Sequence, residues 1–164
     1  MIKIIFKVII FAIAFAFVEA AVVDYLRHLL GATQPAIRKE EILLLLPGIA
    51  FLEPQTALKI ITNSAVLNVE LARETATLVM LAAVAILAGK SFRQRLAFFF
   101  LVFGIWDIFY YIFLKIIIGW PKTLADFDVF FLLPTPLVGP VLAPVIISLV
   151  LVMGSLFYLL KKKI

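Results

Sequence analysis

Long apolar runs, each broken by one or a few charged residues, set the pattern of this chain. A helix that crosses a bilayer needs about 20 mostly apolar residues. Stretches of that length run from about Ile4 to Leu29, Leu67 to Ala88, Leu96 to Ile118 and Val141 to Leu160. Glu19 and Asp24 interrupt the first, and Glu70, Arg73 and Glu74 occupy one end of the second. Asp107 interrupts the third, which ends near Lys115, while the fourth is free of charge until Lys161, Lys162 and Lys163. The pattern predicts an all-α polytopic membrane protein, a single domain with four transmembrane helices.

Two apolar pieces are left over. Ile42 to Leu52 is too short to span and contains Pro47 and Gly48, which suits a re-entrant or interfacial segment. Val129 to Val138 carries Pro134 and Pro136 and is followed by Pro140 and Pro144, so no helix runs through it into the last span. Thr123 and Asp126 have the spacing of a capping box and predict a short helix from about Leu124 to Leu133. Both leftovers are assigned to one membrane face, the outer one.

Orientation follows from the basic residues. With four spans, one side holds the N-terminus, the link from Lys90 to Arg95 and the C-terminus. Lys3, Lys7, Lys90, Arg93, Arg95, Lys161, Lys162 and Lys163 all fall there with no acid among them, and the positive-inside rule then makes that side cytoplasmic. A fifth span using Glu41 to Thr62 would put the basic link and the basic tail on opposite sides, against that rule. Lys3 and Lys7, the apolar stretch and Val18-Glu19-Ala20 have the outline of a secretory signal. Glu19 sits poorly at a cleavage site, so the segment is expected to remain as a helix.

Composition agrees: 65% of the 164 residues are hydrophobic and 15% charged, far from the balance of a soluble domain. The formal charge of +5 is not one property of the molecule. Once the eight cytoplasmic basic residues are set aside, seven basic and ten acidic residues remain, a net of minus three. The basic residues are thereby accounted for by topology, which leaves no case for a nucleic-acid partner.

Ionisable groups inside a membrane are costly and mark function by default. At 100° per residue, Glu19 shares a stripe with Ala12, Ala16, Val23 and Arg27, and the small residues on it let another helix approach closely. Asp24 falls well off that stripe. Glu70, Arg73 and Glu74 share a face with Thr77 and Leu81, and Asp107 lies near mid-span on a face with Gly104, Tyr110 and Tyr111. Glu19, Glu70, Glu74 and Asp107 therefore converge on the outer half of the bundle, with Arg73 as counter-charge and Tyr110, Tyr111 and Arg27 as support. Four carboxylates against one guanidinium will not stand unaided in low dielectric. Either protons, or a cation such as a hard divalent metal held by all four, or a swing of Arg27 or Lys115 must restore the balance. A plainer account also exists: an arginine between two acids near the interface can simply fix helices, and Glu19 and Asp107 can fix register. Tyr110, Tyr111 and Trp120 also suit interfacial anchoring, and His28, alone at a helix end, suits a surface role.

The inventory excludes much chemistry. No cysteine and one histidine leave no haem, iron–sulfur or thiolate zinc site. Glu70-Leu71-Ala72-Arg73-Glu74 departs from the Glu-x-x-His pattern of di-iron bundles, and no phosphate-binding glycine loop or nucleophile elbow occurs. The broken segment from Trp120 to Pro144 is of a kind tolerated at membrane depth where it lines a cavity, and could lid the site. What remains is cation or proton binding or transport, with two rivals: a membrane enzyme on a lipid or small apolar substrate, and a non-catalytic subunit or assembly factor. The bilayer is the expected partner, with a homo-oligomer or larger membrane complex beside it.

Several runs carry a resemblance. Phe17-Val18-Glu19-Ala20 through Tyr25-Leu26-Arg27, Arg73-Glu74-Thr75-Ala76-Thr77, Trp106 through Tyr111, and Gly119-Trp120-Pro121 through Pro134, Pro136 and Gly139-Pro140-Val141 are involved. Together they resemble a group of small uncharacterised bacterial integral membrane proteins. The resemblance implies a bacterial-type cell membrane and brings no known activity or residue role with it.

Overall fold

The computed structural model describes residues 1–30 and 38–161. Lys162 and Lys163 of the basic tail lie outside the described residues. Four long helices form the body: α1 (Ile2–Leu30), α3 (Ser64–Ala88), α4 (Phe92–Ile118) and α5 (Leu142–Lys161), with a single short turn of helix, α2 (Ala57–Ile60), before α3. All four long helices are apolar enough to cross a membrane, and each overlaps its predicted span. Their ends are locally encoded. Asn63 accepts from the backbone N–H groups of Ala65 and Val66 to start α3, and Ser91 accepts from that of Gln94 to start α4.

Helix α4 is central and packs against α1, α3 and α5. At one end of the bundle Ile5, Val8, Ala85, Ala97 and Leu159 share a core cluster, and at the other Ala20, Leu114 and Val141 share a second. The N-terminus, the α3–α4 link and the end of α5 therefore lie together. Ala12 and Ala16 of the predicted small-residue stripe of α1 are fully buried, and so is Ala20, one position on from Glu19. Gly104 lets α4 and α5 touch: a Cβ there would lie 2.7 Å from Val152 Cγ2 and 2.8 Å from the Ser148 carbonyl. The outward faces carry large apolar side chains such as Phe6, Val79, Ile116, Val150 and Phe157, all more than half exposed. Such surfaces belong in lipid rather than water.

The two leftover segments correct the all-α expectation. They form one four-stranded antiparallel sheet, in the order β1 (Ile42–Leu46), β2 (Ile49–Leu52), β4 (Leu137–Pro140), β3 (Phe127–Phe131). The predicted helix from Leu124 to Leu133 is absent. Thr123 and Asp126 instead close a turn: the Thr123 hydroxyl donates to Asp126 Oδ1 at 2.8 Å, and the Lys122 N–H donates to Asp126 Oδ2 at 2.7 Å. From Phe127 onward the backbone pairs with β4, Asp128 opposite Gly139 and Val129 opposite Val138. Ladder bonds to β4 outweigh the helical preference that the capping-box spacing suggested.

The sheet stands beside the helices rather than above them. Phe131 stacks on Phe103 at 6.3 Å between ring centroids and approaches Trp106 at 6.4 Å, and both partners lie near the middle of α4. The hairpin of β3 and β4 thus descends along the bundle, turns near Pro134 and Pro136, and returns directly into α5.

Candidate functional site

Glu19, Glu70, Glu74 and Asp107 are all buried, as is Asp128, which the sequence reading passed over. Helix phase places the first four. Leu67, Glu70, Glu74, Thr77, Leu81 and Ala85 form the buried face of α3 at three- and four-residue spacing. The five acids do not act as one group; four separate arrangements hold them.

In the first, Arg73 bridges two helices. Its Nη1 donates to Glu19 Oε2, and its Nε and Nη2 hold Glu70 bidentately at 2.8 and 2.5 Å. Thr77 donates its hydroxyl to the other oxygen of Glu19 at 2.8 Å. The rigid guanidinium fork suits this double task, and a lysine could not reproduce it.

The second joins α3 to the hairpin. Glu74 accepts the Leu132 N–H at 3.0 Å with both oxygens and the Leu133 N–H at 3.2 Å. These amides sit where β3 ends and the ladder offers them no partner. A carboxylate on the facing helix supplies one.

The third and fourth hold Asp107 and Asp128, which share no hydrogen-bond partner. Asp107 accepts from the Ser148 hydroxyl of α5 at 2.7 Å. Asp128 accepts from the Tyr111 hydroxyl at 3.1 Å and from Arg27 Nη2 at 3.4 Å, and the Arg27 guanidinium lies 4.2 Å over the Trp120 ring. Burial pushes the Asp128 carboxyl up to about 6, against the pull of Arg27 and the Tyr111 hydrogen bond.

Between these arrangements lies a cavity of about 70 Å³, lined by Glu19, Glu70, Arg73, Glu74, Asp107, Tyr110 and Tyr111, with Trp106 and residues of β3 closing it. That is room for a few water molecules. The Trp106 Nε1–H is buried and has no hydrogen-bond partner.

Of the supporting residues named from sequence, Tyr110 and Tyr111 line the cavity, while Arg27 serves Asp128. Lys115 does not reach the acids; its ammonium donates to the carbonyls of Gly119 and Pro121, the latter at 2.7 Å. His28 is exposed, with Nδ1 2.7 Å from Asp24. Among the described residues no three His, Asp or Glu side chains are grouped to hold a metal ion. The reason is visible in the contacts, since Arg73 occupies the space between Glu19 and Glu70 and backbone amides occupy the oxygens of Glu74. Ser148 and Asp128 are the functional groups that sequence reasoning missed. Ser148 is a lone hydroxyl in an apolar span, and Asp128 lay inside the helix predicted from Leu124. No protein-family model, curated protein or solved structure matches the chain.

Proposed function

We propose that this chain is a multi-pass protein of a bacterial-type inner membrane, both termini cytoplasmic, whose buried carboxylate–arginine site binds protons for transport or ion-linked chemistry. The observation that carries the reading is a charge imbalance: four buried carboxylates, Glu19, Glu70, Glu74 and Asp107, line the cavity against the single guanidinium of Arg73, while a fifth, Asp128, is paired with Arg27 nearby. Uncompensated negative charge in low dielectric is expelled or neutralised. The proton is the favoured neutralising cation, because the acids are spread over four hydrogen-bonded arrangements instead of converging on one ion. The cavity has room for a few water molecules, and with Tyr110 and Tyr111 lining it such water would offer a route between the acids.

The test is proton movement in vesicles containing the purified full chain and a trapped pH dye. Asp107→Asn and Glu19→Gln are the variants, each checked for folding by its unfolding midpoint. Loss of proton flux in both folded variants, with loss of a carboxylic-acid infrared band, is the expected result. Unchanged flux and an unchanged band in both would overturn the reading.

A further inference from the structure

A second concavity lies outside the charged site. Helix α4 ends at Gly119, whose φ of +69° turns the chain back on itself. Residues 120–124 then run back beside α4 and are tied to the start of α5 by the Leu142 N–H donating to the Leu124 carbonyl at 2.8 Å. Between this strap and the helices an open groove of about 410 Å³ remains, in the size range of small-ligand pockets. Ile108, Ile112 and Ile116 form its floor at a spacing of four residues, and Leu124 and Val145 form its walls.

Its chemistry is uneven along its length. The apolar stripe leads to Lys115, Lys122 and Thr123; Asp126 bonds the Thr123 hydroxyl and the Lys122 N–H from behind this end but does not line the groove. Lys115 is held at the end of the groove by the carbonyls of Gly119 and Pro121, and Lys122 is exposed beside it. An apolar slot on the outward flank of a membrane helix, closed at the helix end by two ammonium groups, matches a molecule with a hydrocarbon chain and an anionic head.

We infer that this groove is a binding site for an anionic phospholipid, one acyl chain lying along Ile108, Ile112 and Ile116 and the phosphate facing Lys122 and Lys115. The inference stands independently of the proton reading. It has one structural link to it: Tyr111 lines both the groove and the charged cavity, and its hydroxyl reaches Asp128. A lipid seated here lies one side chain away from the acids.

The experiment uses the full chain in nanodiscs of mixed phosphatidylglycerol and phosphatidylcholine, released into native mass spectrometry so that retained lipids are weighed. Wild type should retain phosphatidylglycerol in preference to phosphatidylcholine. Lys122→Gln should reduce that preference about fivefold, the effect of one lysine on an anionic headgroup. Ile112→Trp, which fills the groove from a lipid-exposed position, should remove retention of both lipids while the unfolding midpoint stays at the wild-type value. Equal retention of the two lipids by wild type overturns the inference. So does retention indifferent to both substitutions, or a second copy of the chain held in place of lipid and lost in Ile112→Trp.

Discussion

Glu74 offers the sharpest test of how the hairpin is held at its depth beside the bundle. Replacing it by leucine keeps the volume roughly constant and strands the N–H groups of Leu132 and Leu133. Hydrogen bonds to a charged acceptor are each worth about 1.5–3 kcal/mol, so losing the acceptor for both donors should cost about 3–5 kcal/mol. Glutamine keeps one carbonyl oxygen in the same place and can serve one amide, so Glu74→Gln should cost about 1–2 kcal/mol. Interhelical hydrogen bonds in membranes average only about 0.6 kcal/mol, because the separated helices find other partners. That discount is smaller for these amides while the hairpin stays docked against Phe103 and Trp106, since Glu74 is the protein group that accepts from both of them. Two measurements on the full chain decide the matter: unfolding by SDS titration in mixed micelles, and hydrogen exchange at the Leu132 and Leu133 amides. The expected order of stability is wild type, then Gln, then Leu, with both amides protected in wild type and exchanging in Leu. If Glu74→Leu falls within 1 kcal/mol of Glu74→Gln and the amides stay protected, the carboxylate is not what anchors the hairpin.

Two further expectations concern packing and titration. Gly104→Ala should destabilise the bundle by about 1–3 kcal/mol through overpacking, since its Cβ would meet the Ser148 carbonyl and Val152; Gly154→Ala, whose Cβ would meet nothing within 4 Å, should be neutral or stabilising in the same SDS titration. Asp128 carries a raised carboxyl, about 6 against an ordinary 3.8, so the folded state holds its proton more tightly than the unfolded one. Its stabilising contribution is complete below about pH 4 and is lost as pH rises to about 6, at about 1.4 kcal/mol per unit of pH. Asp128→Asn should remove that slope from the pH dependence of the unfolding midpoint, and an unaltered slope would show that Asp128 is not the titrating group.

The helices were legible because the bilayer imposes a length, and each of the four apolar runs met it. The Glu19–Arg73–Glu70 bridge was legible in part, because 100° per residue puts Glu19 on the face of Ala12 and Ala16 and puts Arg73 beside Glu70. The strands were hidden by their composition. Ile42–Leu46 is a continuous apolar run with no alternation, which periodicity cannot tell from a buried helical turn. Pro134 and Pro136 marked a break correctly, but a break does not say whether the chain turns as a loop or as a hairpin. Asp128 escaped because the pairing of Thr123 with Asp126, local in sequence, pointed to a helix, while the β4 partner was too distant to be inferred. The role of Glu74 was out of reach for a related reason: its partners are backbone amides, which no residue type announces.

The stretch from Leu132 to Ser148 has a mechanical meaning beyond closing the site. It is one uninterrupted piece of backbone, hairpin turn, strand β4 and the first turns of α5, fastened to Glu74 at its start and to Asp107 near its end. The two acids belong to different helices, and a proton arriving at either one weakens its grip on a common strap. On the proton reading, release at one end would alter the hold at the other, so the two carboxyls would titrate as a coupled pair, and by linkage that coupling would run equally in both directions.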